Sequence, residues 1–319
     1  MGGHSVPGRS SIGALSILVI HPTFPLLAMM VMLSGTPQIP KEAAPAAPVE
    51  RTPFPDRRAS AERIIVDSGA EVAVAYRSMD GREEWWYEAD KVFHAASTMK
   101  VGVMVELFRQ EKAKLLRLTD QIEIRNEFKS VVDGSLYSME FEKDSDDTVY
   151  RNIGKSMTLE ALNFQMITVS SNFATNLLID RLGVKNMRAT MEGLGAHGLQ
   201  VRRGVEDQKA FDQGIINETT ARGLFVVLNA IARGQAVSAG ASARMVEVMA
   251  EQKFRDGIPM GLPKGTKVAH KTGTITRIHH DAGIVYGPNP CVLVVLTRGI
   301  EKETDSDVLI ARLTKALLG

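Results

Sequence analysis

The chain has 319 residues, enough to bury a large core or two lobes that share one. Its formal net charge of +1, with 44% apolar and 24% charged residues, is that of an ordinary soluble globular protein and gives no support to nucleic-acid binding. One cysteine, Cys291, set in an apolar run, excludes an intramolecular disulfide and a cysteine-based metal cluster. It reads as a small buried hydrophobe.

At the start, Arg9 precedes an apolar stretch from Ile12 to Ile20, a break at His21-Pro22, and a second apolar stretch to Leu33. Residues 1–36 read as an export signal or a membrane anchor, although Pro22 and Pro25 interrupt a continuous span. A start codon placed too far upstream also accounts for the break. Residues 37–55 are rich in proline and alanine and read as a flexible linker. The protein is therefore expected to be exported, periplasmic or extracellular, and to meet membrane only through this segment.

A helix is predicted from Asp56 to Ser68, stopped by Gly69. Glu71–Arg77 and Glu84–Glu88 read as a β-hairpin around Met79-Asp80-Gly81. Next comes Ser97-Thr98-Met99-Lys100, followed by an apolar run to Phe108. It reads as a serine at the start of a buried helix, with a lysine one turn on and on the same face. Unpaired N–H groups at such a helix start can bind a developing oxyanion. Ser-x-x-Lys is expected about once by chance at this composition, so alone it is weak.

Residues 119–155 lack periodicity, and the run Glu140–Asp147 carries five acids against one lysine, a solvated loop that could rim a cleft. Thr158 is a candidate cap for a helix over 159–168. Ser170-Ser171-Asn172 is a polar corner before a second helix, 173–182, that stops at Gly183. Residues 193–218 hold five glycines and no period, as in a functional loop, and Glu206 lies there. Arg203 with Glu218 is a candidate ion pair closing the neck of that loop. Helices follow at 221–232 and about 239–252, then strands at Lys267–Thr274, Asp281–Tyr286 and Cys291–Thr297, and a terminal helix at Ser306–Leu318.

Two strands in front and three behind, flanked by terminal helices, predict an α/β (α+β) fold with one five-stranded antiparallel sheet. The sheet lobe comprises 56–96 and 256–318, and an all-α lobe comprises 97–255, with chemistry at their junction.

Ser97-x-x-Lys100, Ser170-x-Asn172 and Lys271-Thr272-Gly273 stand in an order and in local contexts that resemble the class A β-lactamases and related penicillin-binding serine hydrolases. The resemblance covers 56–318. It implies Ser97 as the nucleophile and Lys100 as its base or proton relay. Ser170 would pass a proton to the leaving nitrogen, and Asn172 would hold the substrate amide and Lys100. Lys271 and Thr272 would take a substrate carboxylate. The N–H groups of Ser97 and Thr274 would form the oxyanion hole, with Gly273 in the same substrate-binding strand. Glu206, 36 residues after Ser170, would activate the water that releases the acyl group. No cofactor and no metal is implied. The substrate would be a small β-lactam or a peptidoglycan-like molecule, and the protein a monomer.

Four departures from the family pattern stand out. Ala210 replaces an asparagine that helps hold the hydrolytic water. Ser171 replaces an aspartate. The interval from Ser97 to Ser170 is long, placing an insertion at 126–155 beside the cleft. The family's substrate-binding arginine has no exact match, with Arg277 or His280 as possible substitutes. His270, His279 and His280 show no ligand spacing for a metal. The reading is a class A-type serine β-lactamase. The alternative is a related DD-peptidase or other amide or ester hydrolase with slow or no β-lactam turnover. A third reading, a binding domain that kept the fold without turnover, is disfavoured by the full set of motif residues.

Overall fold

The computed structural model describes residues 51–319. The signal or anchor at 1–36 and the linker up to residue 50 lie outside the described residues. The first helix, α1 (Phe54–Ser68), begins inside the stretch expected as linker. Pro55 sits in its first turn, where a missing N–H costs nothing, and Gly69 closes it with φ 62°.

The sheet comprises β1 (Glu71–Ser78), β2 (Glu84–Tyr87), β3 (Lys267–Ile275), β4 (Ile278–Tyr286) and β5 (Cys291–Arg298). Their order is β2-β1-β5-β4-β3, every neighbour antiparallel. The expected five-stranded antiparallel sheet is thus present. β4 starts at Ile278 and not at Asp281, because the β3–β4 hairpin is tight, pairing Ile275 with Ile278.

Both faces of the sheet are covered, which is why its central strands read as continuous apolar runs. Val72, Val74 and Tyr76 of β1, with Cys291, Leu293 and Val295 of β5, face α1 and the terminal helix α9 (Glu303–Leu318). Ala73 and Ala75, with Val292, Val294 and Leu296, face the helical lobe. Cys291 is buried as expected, and burial pushes its thiol up to about 12.

The helical lobe is organised round α2 (Lys100–Lys112), in which every residue from Lys100 to Phe108 is buried. Around it lie α3 (Leu159–Thr168), α4 (Asn172–Leu182), α5 (Val184–Gly193), the short α6 (Gln208–Asp212), α7 (Ala221–Ala232) and α8 (Ala239–Ala250). Thr158, Ser171, Thr220 and Ser238 cap α3, α4, α7 and α8 through side-chain oxygens. The irregular stretch before α3 contains two- and three-residue strand pairs and two short 3₁₀ turns, Phe141–Lys143 and Tyr150–Asn152.

Candidate active site

Ser97 does not open an α-helix. It lies in a 3₁₀ turn, Ala96–Met99, that runs into α2 at Lys100. Ala96, just before it, has φ 45°, a left-handed conformation that costs a non-glycine residue of order 1–3 kcal/mol. Of six such non-glycine residues among those described, Ala96 and Ser170 lie at this site and Glu206 in the loop behind it. β3 runs hard against the turn. A Cβ on Gly273 would lie 3.0 Å from the backbone nitrogens of both Ser97 and Thr98, so glycine here permits close approach. The Ser97 N–H has no hydrogen-bond partner among the described residues.

Lys100 is fully buried. Its Nζ donates to the Ser170 carbonyl at 2.6 Å, to Asn172 Oδ1 at 2.8 Å and to Ser170 Oγ at 3.2 Å. Those three bonds use all three donors of an ammonium, and none goes to Ser97. Burial pulls Lys100 down to about 7, against the opposing pull of Asp144 and Glu206. Lys271 is also fully buried and donates to Ser170 Oγ at 3.0 Å and to Thr272 O at 2.9 Å. Burial lowers it well below the usual lysine value, and repulsion from Lys100 adds to this. Ser170 Oγ therefore accepts from both amines. That occupies its two lone pairs and leaves its own hydrogen for a third group.

A cavity of about 220 Å³ opens at Ser97, lined also by Ser170, Asn172, Thr272 and Thr274. The structure thus gathers Ser97, Lys100, Ser170, Asn172, Lys271, Thr272, Gly273 and Thr274 at one place, the junction of sheet and helices. The insertion reaches the same cavity through Lys143 and Ser145.

Asp144, in that insertion, has a role the sequence did not disclose. Its carboxylate accepts from Asn172 N at 2.8 Å, from Phe173 N at 2.9 Å and from Ser171 Oγ at 3.3 Å. It caps α4 together with Ser171, which accepts from Ala174 N. A carboxylate from the insertion thus serves the corner where Ser171 stands in place of the expected aspartate.

Glu206 does not line the cavity. Its Oε2 accepts from Glu140 N at 3.4 Å, and its buried Oε1 has no hydrogen-bond partner. Burial raises its carboxyl above the ordinary value. The loop holding it is fixed on both sides. Asn176, one turn after Asn172, brackets the Val205 backbone by bonds to its N–H at 2.7 Å and its carbonyl at 2.9 Å. Buried Asp207 accepts from Ser130 Oγ at 2.8 Å and Val131 N at 3.0 Å, tying the loop to the insertion. Ala210 is buried and offers no polar atom.

Three expectations are corrected. The neck of the loop is closed by Arg202, whose Nη1 lies 2.6 Å from Glu218 Oε2. Arg203 instead points inward, donating to Ile215 O and Gly204 O, because an irregular loop turns neighbouring side chains without a fixed period. Arg277 turns away to the Gly299 carbonyl and to Glu301. His280 is buried under the sheet, between the His94 carbonyl and Thr297 N. The histidine that reaches the cavity is His279, because successive residues of β4 face opposite sides.

Residues 57–319 match the model of the beta-lactamase enzyme family, and the chain belongs to that family. A β-lactamase of Citrobacter koseri is 24% identical over 252 residues, which are 76% of this chain and 81% of that protein. The solved structure of a β-lactamase from Sphaerobacter thermophilus superposes with a TM-score of 0.71 at 24% identity, covering 84% of this chain and 97% of its own. A PBP-A mutant, solved as an acyl-enzyme complex with penicillin G, superposes with a TM-score of 0.69 at 22% identity, covering 85% and 97%.

Proposed function

We propose that the protein is an exported, monomeric serine β-lactamase of class A type. The observation that carries the reading is the chain from Lys100 through Ser170 Oγ to Lys271, set beside Ser97 in one cavity. Once Lys100 has lost a proton, one of its three bonds opens and its lone pair takes the Ser97 proton as Oγ attacks the lactam carbonyl. The N–H groups of Ser97 and Thr274 stabilise the oxyanion. As the C–N bond breaks, Ser170 gives its hydrogen to the leaving nitrogen and is refilled from Lys100. Asn172 holds the substrate amide, and Lys271 with Thr272 receives a substrate carboxylate. Glu206 then takes a proton from water, the hydroxide attacks the ester, and the Ser97 C–O bond breaks with return of a proton to Oγ. The raised carboxyl and free oxygen of Glu206 support its role as base.

A second reading, a penicillin-binding hydrolase that acylates and turns over slowly, is favoured by one observation: Glu206 stands off the cavity and Ala210 brings no polar atom to the loop. Incubating the purified protein with benzylpenicillin and a chromogenic cephalosporin, while following hydrolysis and intact mass, separates the two. Turnover lost in Ser97→Ala supports the first. A stable adduct without turnover supports the second. No adduct with any β-lactam overturns both.

A further inference from the structure

The cavity wall facing away from the Ser170 corner carries three titratable side chains that the reaction above leaves idle. His279 stands on β4 opposite Thr274 of β3. Glu303 and Asp307 lie one turn apart on the same side of α9. One ligand atom from each falls within 4.8 Å of the others, and all three residues line the cavity.

The Thr274 hydroxyl has two acceptors in reach, His279 Nδ1 and Glu303 Oε1, and the ring tautomer follows from which of them it takes. When it donates to Glu303 Oε1 at 3.2 Å, the 2.6 Å contact between Thr274 Oγ1 and His279 Nδ1 is filled by the ring's own N–H. In neutral imidazole, Nε2 then bears the lone pair. That atom is 2.7 Å from Asp307 Oδ1, the distance of an ion pair when the ring is protonated, but it has no aligned hydrogen-bond partner, on a side chain only 5% exposed. A lone pair held against a carboxylate oxygen calls for a cation between or beside them. Metal-binding histidines commonly show this pattern, one ring N–H fixed by a neighbour and the other nitrogen free to ligate. Asp256 lines the same cavity. Three carboxylates therefore share this wall with one histidine.

We infer that His279 Nε2, Asp307 and Glu303 form a binding site for a divalent transition-metal ion of the zinc type at the rim of the Ser97 cavity. One imidazole and two carboxylates suit zinc or manganese better than the all-oxygen preference of calcium or magnesium. Three protein ligands leave a fourth position for water or an anionic group of a bound molecule. An ion here would bring positive charge to a wall where neither Arg277 nor His280 reaches. Ion binding does not depend on what Ser97 reacts with.

The test is a zinc titration of the full chain near neutral pH, with a chromophoric chelator as competitor and metal content measured after dialysis. The wild type is expected to hold one zinc more than His279→Gln and Asp307→Asn, or to bind at least about tenfold more tightly than either. Comparison with the variants cancels zinc held by other histidines. Zinc should also raise the melting temperature of the wild type but not of Asp307→Asn, a reading that survives if the histidine variant does not fold. Equal uptake by all three proteins, as for a plain His279–Asp307 ion pair, or no uptake and no shift in the wild type, overturns the site.

Discussion

Asp144 holds the first turn of the helix that begins at Asn172, receiving Asn172 N at 2.8 Å and Phe173 N at 2.9 Å across separations of 28 and 29 residues. The insertion is therefore part of the corner that positions Ser170 and Asn172. Asp144→Ala is expected to cost about 0.5–2 kcal/mol of stability, read by thermal unfolding, as for loss of a helix cap. Asp144 also pulls the Lys100 pKa upward, so the acid limb of acylation should move to lower pH in the variant. An unmoved limb with unchanged stability would detach Asp144 from the site.

Lys100 acts as a base only when neutral. With its pKa near 7, acylation should be level above that pH and fall about tenfold per unit below it. Stopped-flow acylation of the wild type between pH 5 and 9 measures this. A profile flat through neutrality would show that Lys100 does not accept the proton.

Glu206→Gln should accumulate the acyl-enzyme seen by intact mass, with deacylation slowed about 10²–10⁴-fold, the usual contribution of a general base. Because burial raises the Glu206 carboxyl, the acid limb of deacylation in the wild type should lie above the ordinary carboxylate range. Unchanged turnover in the variant removes Glu206 from the mechanism.

His280 is fully buried and held neutral: Nδ1 accepts from Thr297 N, and Nε2–H donates to the His94 carbonyl. Burial lowers it from 6.5 to about 4. Between those values the unfolded chain binds the extra proton and the folded one does not, so stability falls on acidification from pH 6.5 to 4. The loss amounts to about 3 kcal/mol from this residue. Urea unfolding across that range should show a shallower pH slope in His280→Gln than in the wild type.

Gly273→Ala should fold yet acylate slowly, since its methyl would press on Ser97 N and Thr98 N from 3.0 Å, both backbone atoms of the nucleophile turn. Pre-steady-state acylation, compared with the melting temperature, separates this local push from general instability.

Much of this was legible. Strands β1 and β5 announce themselves as apolar runs between glycine-containing turns, and Thr158 and Thr220 mark helix starts by their capping oxygens. Ser97, Lys100, Ser170, Asn172 and Lys271 could be tied together because their order and local contexts resemble a known family. What stayed hidden depends on contacts without local period. Asp144 was one acid in a solvated-looking run, and only the folded backbone brings it to Asn172. Arg202 and Arg203 are adjacent in an irregular loop, where no pattern says which turns outward. α5 was missed altogether, and the 3₁₀ turn at Ser97 read as helix because a single turn is too short for its three-residue period to differ from the first turn of α2.

The sheet order has a consequence for how the protein is made. β1 lies between β2 and β5, so one whole edge of this apolar strand waits for residues 291–298. Lys271 and Thr272 also arrive late, long after Ser97 has left the ribosome. Until then the chain carries a bare strand edge and half a site, a long-range pairing that folds slowly and invites association with other chains. Chains cut short before β5 should therefore be both inactive and prone to aggregate, and refolding of the whole protein should be limited by closure of this strand pair.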